Sequence, residues 1–276
     1  MPAPPPNAMT VDVEDWFQVQ AFAHSIDRAA WDSLPRRVET NTHRLLDLFA
    51  ETGVHATFFA LGWVAERHPA LVRRIVADGH ELASHGHGHR LVHDQTPAEF
   101  AQDIAHSRRL LEDTGGVPVR GYRAPTFSVS TRTPWAFDIL AEQGYRYSSS
   151  TYPIRHDLYG TPNAPRAPYK PNAALTELPL TTLRLAGRNI PCAGGGYFRL
   201  LPYTLSRAAL RRAAHAIFYT HPWEIDPAQP RVTAAPVRAR FRHYLNLGAT
   251  YERLQRLLED FTWERMDNVF AEHLKE

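Results

Sequence analysis

Apolar and polar positions alternate along this chain in two rhythms, one of period two or continuous, the other of helical period. The short apolar run Met9 to Val13 predicts a first strand, and a helical stripe of Leu45, Leu46, Leu48 and Phe49 follows from about Val38. Gly53 stands where a glycine commonly ends a helix. Ala56 to Leu61 is continuously apolar, as expected of a strand covered on both faces. A second helix is expected from about Val64 to Ala77, closed by Gly79, before a strand that ends at His85. Thr96-Pro97-Ala98-Glu99 is a capping box with proline in the first turn, opening a helix to about Asp113. Val119 to Arg123 reads as a strand, Thr133-Pro134-Trp135 opens another helix, and Gly144 closes it before Tyr145-Arg146-Tyr147. Such alternation predicts an α/β fold: a parallel sheet with crossover helices.

The second half is less regular. Leu158 to Asn172 reads as a surface loop, Leu178 to Leu185 as a hairpin strand, and Ala193 to Arg199 as a flexible glycine loop. A helix near Leu205 to Ala214 precedes the apolar run Ala216 to Tyr219, which ends in Thr220-His221-Pro222-Trp223. From Pro227 the pattern suggests an Arg-rich linker and a helix around Thr250 to Asp260. With no internal repeat and no linker of marked composition, the simplest organisation is one domain over residues 9–225 and a C-terminal extension over 226–276, packed on it.

Composition narrows the class. The 276 residues are 43% hydrophobic and 22% charged, with a net charge of +2, which argues against dedicated nucleic-acid binding. The lone Cys192 excludes an internal disulfide and a Cys-rich structural zinc site. The first residues show no basic and apolar secretion signal, and no stretch is apolar enough to span a bilayer, so a cytoplasmic location is expected. Oligomeric state leaves no mark in the pattern.

The chemistry concentrates at expected strand ends. His85-Gly86-His87-Gly88-His89 places several imidazoles in one turn, and its glycines let His85 and His89 converge. Asp12, Glu14 and Asp15 interrupt the first strand, and buried carboxylates need a cation, an arginine or protons. Two histidines and one carboxylate with an open position is the catalytic form of a metal site. Arg123, in Arg123-Ala124-Pro125, is able to hold an aspartate ionised through a bidentate pair, and His221 is placed to deliver a proton. Tyr197 and Trp223 are candidate sugar-stacking walls.

These pieces, in this order, resemble carbohydrate esterase family 4, the NodB-homology polysaccharide deacetylases. Asp12 to Asp15 resembles the family's first acidic motif, and His85 to His89 its His-x-x-x-His motif. Arg123-Ala124-Pro125 resembles its Arg-x-Pro motif, and Tyr219-Thr220-His221 its late histidine motif. Asp-Val-Glu-Asp-Trp-Phe, Gly-Gly-Gly-Tyr-Phe-Arg and His-Pro-Trp-Glu are further similar to a bacterial subgroup found with exopolysaccharide-synthesis loci. The resemblance implies a distorted (β/α) barrel with a C-terminal helical extension, and a divalent metal, usually zinc. It also implies hydrolysis of N-acetyl groups on an amino-sugar polysaccharide or its precursor. By position, Asp12 is the base, Arg123 orients it, His221 is the acid, His85 and His89 are ligands, and Pro125 lies among the substrate contacts.

Two departures leave alternatives open. The family's adjacent aspartates are here split by Val13-Glu14, so the carboxylate ligand is Asp15 or Glu14, with Asp15 favoured because it lies past the strand. An aspartate that often supports the acid histidine is replaced by Ser148-Ser149-Ser150, so that support lies elsewhere or is missing. The competing functions are an amidohydrolase acting on a small cyclic amide and an inactive sugar-binding scaffold.

Overall fold

In the computed structural model, which describes residues 6–213 and 215–275, strand β1 (Asn7–Val13) is buried along its whole length and has partners on both edges. It is followed by α1 (Val38–Thr52), β2 (Thr57–Ala60), α2 (Gly62–Arg67), α3 (Pro69–Ala77), β3 (Glu81–Ser84) and α4 (Pro97–Gly115). Then come β4 (Gly121–Tyr122), α5 (Ala136–Glu142), β5 (Tyr147–Ser148), β6 (Thr176–Glu177) and the strands β7 (Thr182–Leu185) and β8 (Arg188–Pro191). The chain ends with α6 (Gly195–Leu200), α7 (Tyr203–Leu210), β9 (Ile217–Thr220), α8 (Val237–Tyr244), α9 (Leu247–Asp260), β10 (Trp263–Glu264) and α10 (Met266–Val269).

β1 to β6 pair in chain order, every pair parallel, while β9 lies parallel along the other edge of β1. The sheet is a curled, open barrel with helices outside it, and among the described residues no ladder joins β6 to β9. Parallel strands need crossovers, and the helices supply them by burying one stripe each: Leu45, Leu46 and Phe49 from α1, Phe100, Ile104 and Leu111 from α4. Gly53 takes a left-handed conformation (φ 66°) that ends α1, and the Thr96–Glu99 capping box forms as expected.

Four expectations need correction. The helix expected over Val64 to Ala77 is two, broken at His68, because Pro69 has no amide hydrogen and disfavours helical backbone before it. The glycine run expected to be a flexible loop instead opens α6. Gly194 (φ 125°) and Gly195 (φ 54°) are needed there because a Cβ would strike the backbone and ring of Tyr219. The Arg-rich linker contains α8, whose apolar Val237 and Phe241 face outward, so the amphipathic rule hides it. β10 was not anticipated; Asn7 and Ala8 pair with it, which fastens the C-terminal segment to the sheet. Ala214, where the sequence placed the end of the helix observed as α7, lies outside the described residues.

Candidate active site

Parallel strands direct the loops that follow them to one rim, so β1, β3, β4, β5 and β9 deliver their following residues to one place. There Glu14, His85 and His89 bring one ligand atom each to within 4.8 Å of one another, and all three residues are buried. Their geometry is held from outside. His85 Nδ1 donates to the Arg123 carbonyl at 2.8 Å, leaving Nε2 as the lone-pair nitrogen. The loop between the histidines is clamped by Gly62 N–H to Gly86 O (2.9 Å), Trp63 N–H to His87 O (3.0 Å) and Arg28 Nη2 to His89 O (2.7 Å). Trp223 Nε1 donates to Glu14 Oε1 at 3.1 Å.

The electrostatics of this group suit a cation. Burial alone raises a carboxyl pKa, yet the charges of His89, His221 and His85 beside it hold Glu14 down to about 2. Burial pushes His85 down to about 4, so its imidazole is neutral at physiological pH. Glu14 Oε2 is a buried oxygen that accepts no aligned hydrogen bond although His89 Nε2 is 2.7 Å away. An orphaned carboxylate oxygen beside two buried imidazoles, one of them oriented by a carbonyl, fits a divalent metal such as zinc.

Asp15, favoured by the sequence over Glu14, is placed elsewhere. Its carboxylate accepts from the backbone N–H groups of Trp16 (2.9 Å), Arg37 (2.8 Å) and Val38 (3.1 Å), so it serves the start of α1. Burial raises its pKa to about 6 even against those hydrogen bonds. The reason lies in the turn after β1: Glu14 N–H bonds back to Asp12 O (3.0 Å) and Glu14 reaches the rim, whereas Asp15 is turned toward the start of α1.

Asp12 meets Arg123, which is fully buried. One guanidinium nitrogen donates to Asp12 Oδ1 (2.7 Å) and Thr10 Oγ1 (2.7 Å). The other terminal nitrogen turns to Ser149 Oγ (3.1 Å), so the pair is not the bidentate one expected. The Arg123 guanidinium also lies over the Phe59 ring at 4.1 Å. Ser149 and Ser150, where an aspartate was missed, thus position Arg123 and, through Ser150 Oγ, the Ala124 amide at 2.9 Å.

His221 completes the group. Its Nε2 is 3.8 Å from Asp12 Oδ2 and 3.7 Å from Glu14 Oε1. Its Nδ1 meets Glu224 Oε1 at 2.5 Å, and Glu224 Oε2 in turn accepts from Arg199 Nε at 2.8 Å. Burial lowers a histidine pKa, but the hydrogen bond to Glu224 and the charges of Glu14, Glu224 and Asp12 raise His221 to about 9. The support that the sequence left open for His221 therefore comes from Glu224, three residues downstream. Its signal stands in His-Pro-Trp-Glu and Gly-Gly-Gly-Tyr-Phe-Arg, the strings that also resemble the subgroup.

The group floors a cavity of about 430 Å³ that opens to the surface beside Leu158, Arg238 and Phe241. Tyr197 lines it and is half-buried. Trp223 also lines it but is no free sugar platform: its ring stacks on His221 (5.2 Å) and His243 (4.2 Å) and lies beneath the Arg199 guanidinium (5.1 Å). Pro125 is buried outside the lining, and the next two residues, Thr126 (φ 55°) and Phe127 (φ 50°), reach the cavity instead. His87, the middle histidine, points away from the site toward Glu66 and His106 on the outer surface.

Residues 29–148 match the polysaccharide deacetylase family, and residues 149–271 match a domain of unknown function, DUF3473. The first span holds His85, His89 and Arg123; the second holds His221, Glu224 and α8. A chitooligosaccharide deacetylase of Sinorhizobium fredii is 50% identical over 106 residues, covering 36% of this chain and 44% of its own. A peptidoglycan deacetylase of Helicobacter pylori is 30% identical over 112 residues, covering 41% of this chain and 37% of its own. The chain thus spans well under half the length of these curated relatives. The fold is similar to that of a putative polysaccharide deacetylase from Mycobacterium smegmatis, with a TM-score of 0.63 at 23% identity, covering 99% of this chain and 94% of that one. Motifs, sheet and rim agree with this match: residues 29–148 belong to the polysaccharide deacetylase family, and the chain as a whole resembles carbohydrate esterase family 4, the NodB-homology family.

Proposed function

We propose that this chain is a metal-dependent deacetylase that hydrolyses N-acetyl groups of an amino-sugar polysaccharide or its precursor, serving exopolysaccharide biosynthesis. The observation that carries the reading is the convergence of Glu14-His85-His89, Asp12-Arg123 and His221-Glu224 on the floor of one cavity. The related chitooligosaccharide and peptidoglycan deacetylases support the substrate class, and the subgroup motifs support the biosynthetic setting. The opening beside Leu158, Arg238 and Phe241 suits a glycan better than a small cyclic amide.

Glu14, His85 and His89 would hold the metal, most suitably zinc, which when bound polarises a carbonyl and lowers the pKa of water. Asp12, held in place by Arg123, accepts the proton of the attacking water. His221 gives its Nε2 proton to the departing amine nitrogen, and Glu224 keeps that imidazole charged and aimed. Arg199 clamps Glu224 so that it does not swing into the cavity. The barrel over residues 9–225 supplies these groups, and residues 226–276 form an extension that shapes the cavity mouth through Arg238 and Phe241.

Acetate release from acetylated chitooligosaccharides, measured for the zinc-loaded wild type and Asp12→Asn, tests the reading. Release by the wild type, reduced about 10²- to 10⁴-fold in the variant, is expected. A zinc-loaded wild type inert toward acetylated glycans of every length would overturn it.

A further inference from the structure

The C-terminal extension carries a surface that the deacetylation chemistry does not require. From Pro227 to Tyr251 the chain contains Arg231, Arg238, Arg240 and Arg242 and no aspartate or glutamate. On α8, Val237 is 73% and Phe241 59% exposed, one helical turn apart, and His243 is the residue of the helix that is buried. Leu158 and Leu200, 42% and 53% exposed, join Phe241, Arg238 and Arg242 around the cavity mouth. Arg231, Arg240 and Val237 line a second, shallower hollow that shares Phe241. Asp157 pairs with Arg238 (3.3 Å) and Arg242 (2.9 Å), so two of the four guanidinium groups share a single carboxylate.

The face is also rigid. The His243 ring lies 4.5 Å from that of Phe22 and 4.2 Å from that of Trp223, and Arg199 Nη1 donates to the His243 carbonyl at 2.7 Å. A solvated face would intersperse acids, and a packing face would bury its apolar residues. Exposed apolar side chains among arginines that outnumber their one carboxylate partner match the boundary of an anionic bilayer instead, where apolar groups enter the headgroup layer and guanidinium groups meet phosphates. No helix among the described residues is long and apolar enough to cross a membrane, so such contact would be at the surface.

We propose that α8, with Leu158 and Leu200, docks on an anionic phospholipid surface and turns the cavity mouth toward the headgroups. Resting on the deacetylase reading, an acetylated sugar carried on a lipid anchor then reaches His221 and Asp12 without leaving the membrane plane.

Co-sedimentation of the full chain with sucrose-loaded vesicles tests the docking without reference to acetate release. Vesicles of phosphatidylcholine and phosphatidylglycerol in equal parts are expected to pellet the protein at about 0.1 M salt, and pure phosphatidylcholine at least about tenfold less. Arg238→Ala is expected to weaken partition about fivefold. Val237→Asp is expected to weaken it about tenfold or more, with an unchanged melting temperature. Wild-type protein that stays in the supernatant with the anionic vesicles overturns the proposal. So does a well-folded Val237→Asp/Phe241→Asp variant that pellets like wild type, because the contact would then lie elsewhere. Because pelleting is independent of turnover, failure of the deacetylase reading would leave this result interpretable.

Discussion

Two clusters of the same composition share one loop, and they are not equivalent. His85 and His89 face inward and meet Glu14, whereas His87 between them faces outward and meets Glu66 and His106. In the outer cluster the imidazoles lie 3.9 Å and 3.7 Å from Glu66 oxygens, distances that by themselves would suit ligands of one ion. What separates the clusters is their surroundings. The inner histidine has its Nδ1 fixed by a carbonyl, while His87 Nδ1 is buried with no partner. The inner carboxylate is buried, while Glu66 is 38% exposed and shares an oxygen with Arg67 at 3.1 Å. The inner cluster also has His221 beside it, whose Nε2 lies 3.7 Å from Glu14 Oε1 and 3.8 Å from Asp12 Oδ2. Ligand types identify a candidate; orientation, desolvation and neighbours make it a site.

The largest expected effect breaks the inner cluster. His85→Ala/His89→Ala should abolish stoichiometric zinc binding and acetate release together, while His106→Ala in the outer cluster should leave both near wild type, as elemental analysis and an acetate assay will show. Next is Glu224→Gln, which removes the charge that keeps His221 protonated to about pH 9. His221 acts while protonated, so activity is retained below its pKa and lost as pH rises through it. The variant's alkaline limb should therefore move to lower pH, with kcat down about 10- to 100-fold and KM little changed.

The smallest effect concerns Asp15. Asp15→Ala should retain bound metal and lose about 1–3 kcal/mol of stability, read by denaturant unfolding, because three backbone N–H groups lose their acceptor. Its folded pKa of about 6 lies above the usual value. The folded state therefore holds the extra proton between about pH 4 and 6, and wild type should gain stability over Asp15→Asn as pH falls through that window.

The alternation of apolar runs and helical stripes made the parallel sheet and its crossovers legible, because each strand is buried on both faces and each helix on one. The same rule missed α8, whose apolar residues face solvent, and β10, two residues long and dependent on Asn7 and Ala8 for its pairing. His85, His89, Asp12, Arg123 and His221 were legible because strand ends point to one rim. Glu224 and Arg199 were not: Glu224 reaches His221 within one short turn, and Arg199 meets Glu224 across a sequence separation that only folding closes. Glu14 and Asp15 both lie past β1, so the turn that separates them is set by the hydrogen bonds of Asp15 to the start of α1, which the sequence does not display.

The measurement that bears most directly on the account is bound zinc per chain in Glu14→Gln and Asp15→Asn, each purified without a His tag. The inner cluster predicts that Glu14→Gln loses the metal and Asp15→Asn keeps about one equivalent. Retention in Glu14→Gln with loss in a folded Asp15→Asn would contradict it.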